Sequence, residues 1–146
     1  MDNEIPIEIR DYFTSEHSHL FPFLQIPQSF NDDRGYIKNI ADGLIGDVAL
    51  IHTKPGAVRA NHFHKEDWHL TFLLSGEAKY LSSQLQNGKP NSLREYQVVE
   101  GSLLFTPALV WHRFEFIKAS TMIVISKRSR TQENYEADTH RLNEVS

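Results

Sequence analysis

Four histidines stand inside sequence that otherwise reads as β-strand: His62, His64 and His69 in GAVRANHFHKEDWHLTFLLSG (residues 56–76), and His112 in EGSLLFTPALVWHRFEF (residues 100–116). Side chains alternate along a strand, so His62 and His64 project to one side. His112 shares its face with Val110, Phe114 and Phe116, opposite Trp111, Arg113 and Glu115. If His69 points the same way, Thr71, Leu73 and Ser75 follow it. Leu70, Phe72 and Leu74 then form an apolar outer face for a second sheet or subunit. All four imidazoles can line one barrel interior, whereas His17, His19, His52 and His140 lack this context.

Burying several imidazoles together is unfavourable if they charge, because desolvation and mutual repulsion both oppose the protonated form. A divalent transition metal such as Zn, Fe, Ni or Mn would remove the difficulty, and neutral imidazole is its commonest ligand. An all-nitrogen set gives little reason for Mg or Ca. The plainer alternative is that His62 and His64 are surface ladder residues or hydrogen-bonded core groups.

These histidines need short strands to carry them, and the sequence supplies them. From about Phe21 onward, runs rich in Val, Ile, Leu, Phe and Thr recur between turn signals, without long amphipathic helical periodicity. The pattern predicts strands at 23–26, 36–40, 48–53, 58–64, 68–75, 78–85, 93–99, 103–106, 110–116 and 121–126. Turns fall at Asp33-Arg34-Gly35, Lys54-Pro55-Gly56, Gly76, Asn87-Gly88-Lys89-Pro90 and Glu100-Gly101. Many short strands with regular turns mean a sandwich or barrel. The polar stretch at 129–142 predicts a short helix capped by Ser129 or Thr131.

The chain has 146 residues, which suits one domain over 1–146. It has no cysteine, so disulfides, thiolate metal sites and a cysteine nucleophile are excluded. A formal charge of -4 argues against a nucleic-acid footprint. The start, MDNEIPIEIRDYF, lacks the form of a secretory signal, and no apolar run approaches the roughly 20 residues of a membrane span. The expectation is a soluble cytoplasmic protein that binds neither nucleic acid nor membrane.

The histidine segments resemble the cupin family. Gly56, His62, His64 and Gly76 match the spacing of its first motif, with His69 where the family has glutamate. Gly101, Pro107 and His112 match the second motif, with Leu109 replacing a glycine and Phe116 an asparagine. The resemblance spans about Phe30 to Ser126. It implies an all-β double-stranded β-helix, or jelly-roll barrel, with His62, His64, His69 and His112 as metal ligands. A fourth imidazole in place of a carboxylate would leave a bound ion its full charge and make it a stronger Lewis acid.

FNDDRGYIKNI, VRANHFH and SKRSRTQENYEADTHRL further resemble the sugar-nucleotide cupins of bacterial surface-polysaccharide biosynthesis, which include keto-sugar epimerases and isomerases. That likeness implies a nucleotide-linked keto sugar as substrate, Arg59 as a sugar-contacting arginine and His62 as the catalytic base. Strict alternation sets Arg59 and His62 on opposite faces, so a bulge or twist must bring them into one cavity. Two alternatives stay open: a non-haem metal-dependent dioxygenase of a small chelating substrate, and a non-catalytic sugar-binding cupin. Cupins commonly pair through their sheets, so a homodimer is expected, with Leu70, Phe72, Leu74 and Trp111 as the apolar surface it would cover.

Overall fold

A computed structural model describes residues 5–10, 12–13, 21–27, 29–129 and 131–141. His17 and His19 lie outside them. The elements are α1 (Ile7–Arg10), β1 (Phe23–Leu24), β2 (Ser29–Asp32), β3 (Gly35–Lys38), β4 (Asp47–Thr53), β5 (Val58–Phe63), β6 (His69–Ser75), β7 (Glu77–Gln86), β8 (Lys89–Pro90), β9 (Arg94–Val99), β10 (Leu103–Thr106), β11 (Val110–Phe116), β12 (Ser120–Ser126), α2 (Gln132–Ala137) and β13 (His140–Arg141). Every ladder is antiparallel. One sheet runs β1-β10-β6-β12-β4, and the other runs β13-β5-β11-β7-β8 with β9 also paired to β7. The curled sheets make a jelly-roll barrel. The β2–β3 hairpin forms a separate two-stranded sheet.

The two sheets meet over alternating inward residues, as a half-buried strand requires. In β11, Val110, His112, Phe114 and Phe116 are buried, and Phe114 and Phe116 join Leu73, Tyr80, Val98, Met122 and Val124 in one cluster. Arg113 and Glu115, on the other face, form an ion pair at 2.8 Å. The turn into β7 depends on Gly76, whose φ is +105° and whose absent Cβ would sit 2.1 Å from Ser120 Oγ. No substitution fits there without moving β12.

The outer face of β6 differs from expectation. Leu70 and Phe72 face neither a second sheet nor a partner copy. They are covered by Ile5, Ile9 and Phe13, with Trp68, Leu103, Phe105 and Ile125 completing the cluster. Trp111, also expected at an interface, is wholly buried against Phe63 and Leu81. Of the named outer residues only Leu74 is exposed. Ile5 and Ile9 fall in a segment too short to announce this role through periodicity. Among the described residues, no helix is long and apolar enough to cross a membrane.

Candidate functional site

β5 and β11 build the site together. Their register pairs His62 with His112 and Arg59 with Phe114, but it slips between His112 and Arg113, where Ala60 is the partner. Asn61 is therefore an extra residue, a β-bulge. Ala60 and Asn61 have φ of 68° and 66°, in the left-handed region that alanine rarely adopts. Because His112 and Phe114 share a face, the bulge gives their partners His62 and Arg59 that face too. Both line a cavity of about 300 Å³, together with His69, Thr71, His112 and Tyr135. The twist or bulge that alternation demanded is present.

Arg59 sits at the exposed rim, with Nε donating to Thr53 Oγ1 at 2.6 Å and Nη2 to the His52 carbonyl at 3.2 Å. His62, His64, His69 and His112 are all buried. The His62 ring lies 4.6 Å from His64 and 4.8 Å from His112, centroid to centroid, and His64 lies 4.7 Å from His69. His64 sits behind the cavity wall rather than on it. Its Nδ1–H donates to the Asp138 carbonyl at 2.8 Å, and the His112 Nδ1–H donates to the Val110 carbonyl at 3.1 Å. A carbonyl only accepts, so both rings present an unprotonated Nε2.

Burial is the main force that keeps these rings neutral. It pushes the His112 imidazole down to about 3, aided by His64 and His69 and opposed by the Val110 carbonyl. It lowers His64 to about 4, with His69 adding and the Asp138 carbonyl resisting. His62 is driven lower still, by burial first and then by His112, His64 and His69. Burial, helped by the neighbouring imidazoles, thus keeps His62, His64 and His112 uncharged without a counter-ion.

Several functional candidates were not evident from sequence. α2 carries Tyr135 to the cavity wall, 6.3 Å from His62 and 5.9 Å from His64 between ring centroids. The Asp138 carboxylate accepts the backbone N–H groups of Lys65, Glu66 and Asp67, clamping the end of α2 to the turn before β6. Asp67 Oδ2 lies 3.1 Å from His69 Nε2. The Asp67–His69 spacing was the only local signal. Tyr135 belongs to a polar helix whose register on the barrel depends on distant partners. That helix, Gln132–Ala137, is shorter than expected, and its N-cap Thr131 makes no side-chain capping bond.

No protein-family model and no curated protein sequence matches the chain. Solved structures do. A dTDP-4-dehydrorhamnose 3,5-epimerase from Sulfolobus tokodaii aligns over 74% of this chain and 70% of its own, at 17% identity and a TM-score of 0.61. The QdtA 3,4-ketoisomerase from Thermoanaerobacterium thermosaccharolyticum, solved with TDP, aligns over 83% and 84%, at 22% identity and a TM-score of 0.63. The capsular polysaccharide assembling protein CapF from Staphylococcus aureus matches 86% of this chain, which covers 32% of CapF, at 21% identity and a TM-score of 0.61. The likeness establishes a cupin-type barrel.

The expectation of a transition-metal cofactor is corrected. His62, His64 and His112 do bring one nitrogen each within 4.8 Å of the others, but His69 Nε2 is committed to Asp67 instead of joining them. Among the similar folds are dTDP-sugar 3,5-epimerases, a kind of enzyme that works without a metal cofactor. The physical premise fails as well, since burial and mutual repulsion already keep His62, His64 and His112 uncharged. With the metal goes the argument for the dioxygenase.

Proposed function

We propose that this protein is an epimerase or isomerase of a nucleotide-linked keto sugar, with His62 as the base and Arg59 as a sugar-contacting group. The observation that carries the reading is the bulge at Asn61, which brings both residues into one cavity. Backbone strain of this kind costs of order 1–3 kcal/mol and persists where the surroundings enforce it, often at functional sites. Because His62 is held neutral, its ring keeps a lone pair that can take a proton from a carbon beside a ketone. The C–H electron pair then forms the enolate, and the oxygen gains negative charge. The Tyr135 phenol is a donor on the cavity wall that can stabilise that oxygen, while the rim guanidinium of Arg59 holds the sugar in place.

The fold relatives support this reading: they include a dTDP-4-dehydrorhamnose 3,5-epimerase and a 3,4-ketoisomerase. The test is a His62→Asn variant, which keeps a small polar side chain but removes the base. Nucleotide binding should survive within a few-fold while turnover of a nucleotide-linked 4-keto-6-deoxyhexose falls by about 10²–10⁴. Unchanged turnover would remove His62 from the role. A chain that binds such sugars and converts none of them is a sugar-binding module.

A further inference from the structure

The Asp67–His69 pair has no part in the reaction as written above, yet it is built like an acid–base unit. Both side chains are buried, at 7% and 8% exposure, with Asp67 Oδ2 3.1 Å from His69 Nε2. An ionised carboxylate only accepts, so Nε2 carries the hydrogen and Nδ1 keeps the lone pair. Asp67 Oδ1 accepts the Arg128 backbone N–H at 3.1 Å, which fixes the carboxylate from a second side. Burial opposes its ionisation, but His69, the Arg128 N–H and His64 outweigh burial and hold the carboxyl below its ordinary value. A carboxylate so placed orients an imidazole and stabilises the positive charge it gains on taking a proton.

Position makes the pair useful. His69 lines the cavity from β6, in the five-stranded sheet, whereas His62 lines it from β5, in the other sheet. Their rings flank His64, with centroids 4.6 and 4.7 Å from it. Two imidazoles thus reach one cavity from two walls.

We infer that His69 is a second catalytic acid–base residue, with Asp67 as its positioning residue, and that His62 and His69 invert one carbon beside the ketone from opposite faces. This rests on the keto-sugar reading and narrows it to epimerisation. His62 takes the proton through its lone pair; the C–H pair becomes the enolate double bond, and the carbonyl pair moves to oxygen. His69, entering protonated, gives its proton to the same carbon from the other face as the ketone re-forms. His62 ends protonated and His69 neutral, and solvent exchange resets both. In the reverse direction the roles swap, and no oxidant or reductant is needed.

The experiment follows inversion and hydrogen exchange separately, by proton NMR in deuterated water with a thymidine-diphosphate-linked 4-keto-6-deoxyhexose. Wild-type protein should do both. His69→Gln should still exchange the proton that His62 removes but lose inversion by at least about a hundredfold, since the returning acid is gone. His62→Gln should lose both from that epimer. Asp67→Asn is the near-isosteric control: its amide donates to Nε2 and forces the hydrogen onto Nδ1. Its inversion kcat should fall by about 10–100-fold with KM unchanged, a split that a purely structural pair would not give. If His69→Gln or Asp67→Asn kept the wild-type ratio of inversion to exchange, the two-base assignment would be overturned. A wild-type protein that moves the ketone without inversion also overturns it, while leaving the keto-sugar reading intact. Wild-type protein that exchanges nothing overturns the keto-sugar reading and this inference with it.

Discussion

Arg59 and His62 line one cavity although three positions separate them on a single strand, because Asn61 between them has no counterpart on β11. Odd spacing would otherwise place them on opposite faces. If Arg59 holds the substrate, Arg59→Ala should raise KM by about 10–100-fold with a smaller effect on kcat, the pattern of lost uniform binding. Arg59→Lys should recover little, because the guanidinium also donates to Thr53 and His52 through separate nitrogens. Steady-state kinetics of both variants, with wild-type KM in Arg59→Ala as the contrary result, decides it.

Leu109 stands where the cupin motif has a glycine, and it keeps a glycine-like backbone, with φ of 64°. Its amide donates to the His64 carbonyl at 2.6 Å, so the strained residue ties the β10–β11 turn to the histidine strand. Its side chain is 48% exposed and contributes little packing. Leu109→Gly should therefore stabilise the fold by up to about 1 kcal/mol, relief of strain outweighing the extra chain entropy. Urea unfolding of the two proteins measures it, and a loss of stability would show that the leucine packs on something it does not touch here.

The histidine cluster predicts sensitivity to acid. His64 and His112 have folded values of about 4 and about 3, and His62 lies lower. Above about pH 6.5 these rings are neutral whether folded or unfolded, so they add no pH dependence. As pH falls below that, the unfolded chain binds protons that the folded cluster refuses, and stability drops by about 1.4 kcal/mol per pH unit for each such histidine. The Asp67 and Asp138 carboxyls, both held below their ordinary value, add their own loss only below about pH 4. Denaturant midpoints between pH 7.5 and 5 should be flat above 6.5 and fall below it. A midpoint unchanged down to pH 5 would contradict the buried neutral cluster.

The homodimer is still a proposal, on different residues from those first indicated. β4 is an edge of its sheet and exposes Val48 and Leu50 at 64% and 71%, while the isolated β2–β3 hairpin exposes Phe30, Tyr36 and Ile37. An isolated hairpin is marginal in water and a flat apolar edge invites pairing, so a second copy is the natural cover for both. Sedimentation at micromolar concentration should give a dimer, and Leu50→Lys should shift it toward monomer. A wild-type monomer under those conditions counts against the proposal.

Sequence carried the barrel further than the site. The alternation in β11 and the turn glycines were local signals, and the strands they implied formed. β13 was not legible, because His140 and Arg141 have no apolar pattern and exist as a strand only by pairing with Phe63 and His62. The need for a bulge followed from odd spacing, but its place at Ala60 and Asn61 carried no glycine to mark it. Tyr135 and Asp138 reach the site through contacts more than 70 residues apart in sequence, such as His64 to Asp138. The metal was inferred from a charge problem that burial itself removes.

Enolisation of a keto sugar in the cavity is read by proton NMR of a thymidine-diphosphate-linked 4-keto-6-deoxyhexose in deuterated water. With wild-type protein, treated with chelator beforehand, the signal from a carbon next to the ketone should disappear within the time of turnover. Full retention of every such signal with all available epimers, despite measurable binding of the nucleotide sugar, would contradict it.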